Sequence, residues 1–467
     1  MLKKEVNMLS GSIMKGLLTI AVPIMIMNVL QSLFNIIDKT VLANFGSKTG
    51  YSVGAVGVCS YLISLITGLM IGISSGANVV VARNIGKGDT EKIDRAIGTS
   101  ILFSVVGGLV LTVIGVSCAE LFLTWMNCGP NILPEAALYF RLYFLGVPIL
   151  MLYNFCASIL RSTGDSKRPM VYSLVGGGAK VVLNLLFVSV FKMQIVGVAL
   201  ASIISWVIMA VMAFVALAKN KGVVKIKLNK IRFYAQELKE ILYIGVPTGL
   251  QQALYSIANV VISAVVNKMG DAATTGIAIA NDFDGILYQI SVAPSLAVMA
   301  YVSQNVGAGN IKRAREATWK GMLITVSLGA SLGALSAIFS AELSSIMSSD
   351  PEIIAFSQQK MVIISSTYFI CGINEIMGAS MRGLGKPIIA TVCTLVYMCL
   401  FRFVWVYLIY PLCPTLTFLY FVWPIGWVLS IITILFFYFP TLKVLKKKIS
   451  LEKSYEDSQK EVEPNAN

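Results

Sequence analysis

The sequence contains no histidine and few charged residues, since Asp, Glu, Lys and Arg make up 13% of its 467 residues. A soluble domain carries about 25% charged residues, so this chain cannot cover a surface that faces water on all sides. The missing histidines exclude imidazole metal sites and histidine proton relays. A GxxxxGK[ST] motif is also missing, which excludes an ATP-driven pump of the P-loop type. The chain is therefore predicted to be an integral membrane protein.

Hydrophobic residues make up 57% of the chain and form long continuous runs. One helical span needs about 20 apolar residues, and continuous runs exclude a β-barrel, whose strands alternate apolar and polar residues. The runs predict an all-α membrane protein with twelve transmembrane helices. These helices are predicted to begin near Leu17, Val53, Ala96, Glu135, Pro169, Ile195, Ile241, Thr275, Ala317, Ile353, Pro387 and Leu416.

The distribution of positive charge predicts the orientation of these helices. With a cytoplasmic N terminus, the predicted cytoplasmic segments hold 29 of the 37 lysines and arginines, and the outer loops hold 3. This distribution predicts a multi-pass protein of the cell membrane with both termini in the cytoplasm. The net charge of +14 follows from topology, with attraction to anionic membrane lipid as a secondary effect. We expect no nucleic-acid partner, and we expect the protein to act as a monomer.

The chain repeats itself after about half its length. A shift of 224 residues places 16–47 on 240–271 without a gap, and a shift of 221 aligns two later motifs. Because the shift carries six spans, an even number, both halves keep the same orientation. This predicts two six-helix lobes related by a pseudo-two-fold axis along the membrane normal, with a cavity between them. The later motifs are NIGKGD at 84–89 with NVGAGN at 305–310, and RSTG at 161–164 with RGLG at 382–385.

The repeat divides the chain into an N-terminal lobe at 1–218, a basic cytoplasmic linker at 219–240, a C-terminal lobe at 241–441 and a tail at 442–467. The linker is expected to be partly helical on the cytoplasmic surface. The tail has no apolar period and is expected to be largely disordered. The glycine-rich loops of the repeat follow helices rather than strands, so they are expected to end helices rather than bind phosphate.

Four motifs resemble the multidrug and toxic compound extrusion (MATE) family of secondary transporters, and its clostridial-type members most. They are AVP…NIIDKTVLANFG in the first span, SQNVGAGNIKRA after the eighth, NEIMGASMRGLGKP at the end of the tenth, and Arg402 followed by WPIGW at 423–427. The resemblance covers about 10–445. It implies twelve helices around a V-shaped cleft and export of cationic amphiphiles in exchange for Na⁺ or H⁺, without a cofactor.

The resemblance is incomplete at the ion-coupling positions. Asp38 matches directly, whereas the acidic positions in spans seven and ten of one Na⁺-coupled branch align with Tyr255 and Cys371. The span-five aspartate of another branch aligns with Asn184. The resemblance therefore implies ion or proton coupling at Asp38, with Asn184 as a further coupling position.

Ionisable groups inside spans are the strongest functional signal, because each costs about 2.5–3.5 kcal/mol at a helix centre and usually faces a cavity or a partner. Asp38 lies late in the first span, and Asn35 lies three residues before it on the same helical face. A carboxylate and an amide oxygen suit Na⁺, and the carboxylate alone could carry a proton. The alternative is a static salt bridge between Asp38 and Lys180 of span five.

Asp282 and Asp284 flank Phe283 in span eight, at a depth similar to that of Asp38 but in the other lobe. Two residues on a helix are about 200° apart, so both cannot face the cleft. We expect one of them to form a wall of the substrate cavity that attracts cations. The other is expected to pair with a neighbouring helix or with the other lobe.

Glu375 lies seven residues before Arg382, on the same face of span ten. It is predicted to accept a proton from the cytoplasmic side or to form part of a cytoplasmic gate. The alternative is a pair with Arg402 or an interhelical hydrogen bond. Polar and aromatic side chains that would suit a cationic amphiphile through cation–π contact are Tyr255, Asn259, Gln251 and Tyr288.

The sequence therefore predicts a secondary multidrug antiporter that works by alternating access and is not an enzyme. A second hypothesis is a flippase for lipid-linked precursors with a cationic cleft, in which Lys180 and Arg402 would bind pyrophosphate. The net charge of the cavity lining distinguishes the two, because an acidic lining favours cationic drugs and a basic lining favours lipid-linked sugars. A membrane-embedded enzyme is the least supported hypothesis, because the chain lacks histidine and an evident metal cluster.

Overall fold

The computed structural model describes residues 6–45, 51–126 and 128–462, and all of its long elements in these ranges are helical. Twelve long helical segments follow one another along the chain. They are α1 (Ile13–Phe45), α2 (Tyr51–Lys87), α3 (Thr90–Ser117), α4 (Leu133–Leu145 and Val147–Ser162), α5 (Lys167–Asn184), α6 (Gln194–Ala218), α7 (Ala235–Val266), α8 (Asp271–Gly307), α9 (Ile311–Ile338), α10 (Pro351–Ser366 and Tyr368–Gly383), α11 (Pro387–Thr394) and α12 (Val422–Val462).

Shorter elements extend or connect these helices. A π-helical segment follows α5 at Leu185–Val190, and α11 continues through Leu395–Leu400, Phe401–Val404 and Trp405–Ile409. The remaining short helices are Ala119–Trp125, Ser340–Ser345, Leu416–Tyr420 and the 3₁₀ turns Leu228–Lys230, Asn267–Met269 and Tyr410–Leu412.

The predicted membrane fold class is confirmed. Among the described residues, 9 helices are long and apolar enough to cross a membrane, and the number reaches 11 when each of two bent pairs is counted as one span. The bent pairs are α4, with a bend of 46° at Gly146, and α10, with a bend of 48° at Thr367. Of the twelve long segments, α7 is the one outside this count, and it begins with charged residues in its first two turns. The sequence did not predict the bends.

The turns at one end of the bundle reproduce the internal repeat. Gly88 and Gly309 follow α2 and α8 with positive φ angles of 71° and 74°, a conformation that favours glycine. The next residue in each turn, Asp89 or Asn310, caps the N terminus of the following helix with its side chain. The glycine-rich loops therefore end helices, as expected. We call the end of the bundle that carries these two turns the basic end.

The two lobes are in close contact toward the basic end, where glycines let α2 and α7 cross backbone to backbone. A Cβ atom on Gly72 would overlap the backbone of Gly249, and one on Gly76 would overlap the carbonyl oxygen of Ile241. A second contact joins the ends of α2 and α8, where Gly86 and Gly307 each lie against a carbonyl of the other helix. Both contacts between the helices depend on glycine, because any larger residue would place a Cβ atom on the facing backbone.

The segment before α1 is attached to the C-terminal half of the chain. Arg313 at the start of α9 donates hydrogen bonds to the carbonyl oxygens of Met8, Ser10 and Gly11 at 2.9, 2.7 and 2.9 Å. Asn305 donates to the same Met8 carbonyl at 3.1 Å. These contacts hold the start of the chain against the α8–α9 turn at the basic end.

The buried apolar residues show how far the lobes are joined. The first half of α1, including Leu17 and Ile24, packs in one cluster with α8, α9 and α10 of the C-terminal half. The start of α7, at Ile241 and Ile244, packs into the cluster of the N-terminal half. The far half of α7 instead joins a third cluster, whose described members all come from the C-terminal half. The lobes therefore share core packing toward the basic end and have separate cores toward the opposite end.

The two segments outside the lobes have different outcomes. The linker at 219–240 is partly helical, as expected, because it contains the 3₁₀ turn Leu228–Lys230 and because α7 begins within it at Ala235 rather than near Ile241. The helix α12 continues to Val462, so the tail is helical from 442 to that residue rather than largely disordered. Residues 463–467 lie outside the described part of the chain.

Candidate functional site

Asp38 near the far end of α1 is held by two side chains of α5. Its carboxylate forms an ion pair with Lys180 and accepts a hydrogen bond from the side-chain nitrogen of Asn184. Lys180 and Asn184 are four residues apart, so they project from the same face of α5. The Asp38 side chain is 13% exposed, so it is largely but not completely buried. The salt bridge considered as the alternative for Asp38 is therefore present.

Asn184 offers a further oxygen beside this pair. Its side-chain oxygen is buried and has no hydrogen-bond partner among the described residues. The π-helical segment begins at the next residue, Leu185, and such irregular turns are frequent at functional sites. The backbone of Asn35 lies within α1, but its side chain lies outside the described part of the structure, so its predicted role stays a prediction.

The two aspartates of α8 have different surroundings. Asp284 is buried and pairs with Lys360 of α10 at 2.8 Å, and Lys360 also donates to the side-chain oxygen of Asn281. Tyr368 donates to the backbone carbonyl of Asp284 at 3.0 Å. Asp282 is exposed. Asp284 thus has the expected role of a partner to a neighbouring helix, and Asp282 is the aspartate of the two that is exposed.

Asp282 lies two turns of α8 before a contact with the other lobe. Asn28 of α1 donates to the backbone carbonyl of Gln289 at 3.1 Å, and Asp282 lies seven residues before Gln289 on the same helical face. At 1.5 Å per residue, Asp282 lies about 10 Å beyond this contact, and Asp38 lies about 15 Å beyond Asn28 in the same direction. The two carboxylates are therefore at similar depths, one in each lobe, toward the end where the cores are separate.

Glu375 lies inside the C-terminal half, at a different depth from Asp38 and Asp282. It is 4% exposed, and the hydroxyl of Tyr288 donates to its carboxylate at 3.5 Å. No basic group of the described residues lies within 4.0 Å of this carboxylate. The alternative pair with Arg402 does not form, because Arg402 donates to the side-chain oxygen of Asn259 at 2.6 Å. Glu375 is thus a buried carboxyl group that forms no ion pair within the described part of the chain.

Three of the residues predicted to line the substrate cavity contact buried arginines. Arg402 lies 5.6 Å from the ring centre of Tyr255, and its hydrogen bond to Asn259 comes from the same guanidinium group. Gln251 is buried and accepts a hydrogen bond from Arg382 at 3.2 Å. Arginines buried in this way need acceptors and aromatic faces. Gln251 therefore lies within the packed interior rather than on an open wall, whereas Asn259 is exposed.

Sequence reasoning missed several partners that form the site. The hydrogen bonds that Asn184 donates to Asp38 and Arg382 donates to Gln251 join helices far apart in the chain. The signal for the first was available, because Lys180 and Asn184 have the i,i+4 spacing that would let both reach one carboxylate. Within the described residues, no group of three or more Cys, Asp or Glu could hold a metal ion.

The structure has two joined six-helix halves, with Asp38 in one and Asp282 in the other toward the end where the cores are separate. This is the architecture of a membrane transport protein. A sequence profile of the family described as MatE matches residues 23–186 and 247–408. The chain therefore belongs to the MatE family, whose members are membrane transporters rather than enzymes.

Relatives support this assignment along most of the chain. The chain is 27% identical over 401 residues to the probable multidrug resistance protein YpnP of Bacillus subtilis, which covers 86% of this chain and 89% of that protein. It is 24% identical to the probable multidrug resistance protein NorM of Thermotoga maritima, over 80% of this chain and 81% of that protein. A crystal structure of MATE in complex with MaL6 matches with a TM-score of 0.88 at 21% identity, over 95% of this chain and 100% of that one.

Proposed function

We propose that the protein exports cationic or amphiphilic small molecules from the cell in exchange for Na⁺ or H⁺. The named multidrug resistance relatives support a drug-like substrate. The positive-inside distribution supports a cell-membrane protein with both termini and the basic end in the cytoplasm. With this orientation, the structure has its lobes in contact on the cytoplasmic side and its separate cores on the outer side. The proposed rocking units are the segments 1–218 and 241–441.

The observation that carries the proposal is the ion pair between Asp38 and Lys180, whose ammonium group we propose is displaced by the coupling ion. Lys180 neutralises the carboxylate when no substrate or coupling ion is bound. A proton on Asp38 would remove its charge and release Lys180, whereas Na⁺ would have to replace the ammonium group beside the oxygens of Asp38 and Asn184. A cation that prefers one conformation of the lobes shifts their equilibrium, and one with equal affinity for both conformations shifts nothing.

Asp282 would supply the second part of the mechanism. It is exposed at a depth similar to that of Asp38 in the opposite lobe, and it therefore offers a negative charge to a cationic substrate between the lobes. The two basic residues that would support a flippase for pyrophosphate-linked lipids have partners of their own: Lys180 pairs with Asp38, and Arg402 contacts Asn259 and the ring of Tyr255. These partners favour drug export over the flippase.

A transport assay in proteoliposomes tests the proposal. Ethidium uptake into inside-out vesicles is measured under an imposed proton gradient and, separately, under an imposed Na⁺ gradient. We expect one gradient to drive uptake in the wild type, and we expect Asp38→Asn to abolish the driven component while ethidium binding persists. The variant Asp282→Asn should instead weaken ethidium binding and keep the response to the gradient. Wild-type driven transport by Asp38→Asn would contradict the coupling role of Asp38.

A further inference from the structure

The segment between α6 and α7 is fixed to the N-terminal half along one face. Val224 and Ile226 are buried there, and the backbone nitrogen of Ile226 donates to the carbonyl of Leu217 at 3.3 Å. Lys227 pairs with Asp94 of α3. The segment is therefore a docked strip of chain with a defined inner face, rather than a free connection.

The outward face of this strip combines apolar and basic side chains. Leu228 is 74% exposed, Val223 is 57% exposed and Phe233 is 44% exposed. Residues from Val223 to Lys227 alternate between exposed and buried, a pattern typical of extended backbone, in which successive side chains point to opposite faces. Three exposed lysines lie on the strip, namely Lys219, Lys221 and Lys225.

We propose that this outward face, formed by Val223, Leu228 and Phe233 with the three lysines, binds the surface of a bilayer that contains anionic phospholipid. The strip starts where α6 ends at Ala218 and stops where α7 begins at Ala235, so it joins two helices that the sequence predicts to span the membrane. Lysines at this level attract anionic headgroups. Apolar side chains beside them insert at the boundary between headgroups and acyl chains.

Contact with the bilayer can be measured at Leu228. The variant Leu228→Cys, in a Cys413→Ser background that removes the exposed native cysteine, is labelled with the environment-sensitive dye NBD. It is reconstituted in phosphatidylcholine vesicles with or without anionic phosphatidylglycerol. Lys312→Cys, an exposed position at the basic end of the other half, is the matched control. Thermal unfolding of each variant establishes that it is folded.

We expect the dye at position 228 to emit at shorter wavelength than the dye at 312 and to lose fluorescence when the acyl chains are brominated. Phosphatidylglycerol should strengthen both effects. Replacing Lys219, Lys221 and Lys225 together with glutamine should remove this dependence on phosphatidylglycerol. A dye at 228 that brominated chains do not quench would overturn the proposal, whether it is in water or covered by another protein. Quenching that ignores both phosphatidylglycerol and the lysines would overturn its electrostatic part.

Discussion

The crossing of α2 and α7 at Gly72 offers a direct way to disturb the contact between the lobes. A Cβ at this position would lie 2.7 Å from the carbonyl carbon of Thr248 and closer still to the backbone of Gly249. Ordinary contacts of this kind are at 3.4–4 Å, so the two helices would have to separate by an ångström or more. Both neighbours are backbone atoms, which cannot move aside as a flexible side chain would.

Such overpacking costs about 1–3 kcal/mol. If the cost falls on the conformation with the basic end closed, Gly72→Ala lowers its population relative to the conformation with this end open by a factor of about 5 to 150. Gly57→Ala is the matched control on the same helix, because a Cβ there meets no atom within 4 Å. The same alanine is then added to α2 without the collision.

The shift is measured as a distance distribution between spin labels on Lys87→Cys and Lys312→Cys in the Cys413→Ser background, by double electron–electron resonance. Both labelled residues are exposed at the basic end, one in each half. We expect Gly57→Ala to reproduce the wild-type distribution and Gly72→Ala to move it toward longer distances. Identical distributions for the two alanine variants would refute the role of this crossing in closing the basic end.

Three further predictions concern single contacts. Lys360→Met leaves Asp284 buried and unpaired, which should cost about 3–5 kcal/mol of stability and lower the midpoint of thermal unfolding. Adding Asp284→Asn should restore most of it, and no recovery would contradict the pairing. Arg313→Ala removes three hydrogen bonds to the segment before α1 and should make that segment more sensitive to protease, whereas unchanged cleavage would argue against the attachment. Asp89→Ala removes the cap of α3 and should cost about 1 kcal/mol. The pKa of Asp89 is lowered chiefly by the hydrogen bond from the backbone N–H of Lys92. The wild type should therefore lose this stabilisation only as the pH falls through that lowered pKa. A difference in unfolding free energy between wild type and variant that persists below this pKa would contradict the assignment.

The span pattern and the repeat could be predicted from the sequence because both depend on local properties. A continuous apolar run specifies a membrane helix, and the matching turns at Gly88 and Gly309 follow from residues that favour positive φ. The bends at Gly146 and Thr367 could not be predicted in this way. They occur within otherwise continuous apolar patterns, and their positions depend on how each helix packs against its neighbours.

The partners of the charged residues were harder to predict than their importance. The sequence indicates that Asp38 is important because a carboxylate inside a span is costly. A salt bridge to Lys180 is one of the two roles that the sequence predicts for it. The choice of Asn259 rather than Glu375 as the partner of Arg402 depends on which helix faces are brought together. The packing of the first half of α1 with the C-terminal half is a similar case, since an apolar face does not specify which other apolar face will cover it.

The central claim is that a coupling ion bound at Asp38 lowers the affinity of the protein for its substrate, and an equilibrium binding titration tests it most directly. Ethidium affinity for purified protein in detergent is measured against pH at constant Na⁺, and against Na⁺ at constant pH. A coupling free energy of about 1–3 kcal/mol between the two sites changes affinity by about 5- to 150-fold, so the dissociation constant for ethidium should rise by a factor in this range as the pH falls or as Na⁺ rises. The account predicts this dependence on one of the two ions in the wild type and none in Asp38→Asn. The same dependence in both proteins would contradict it.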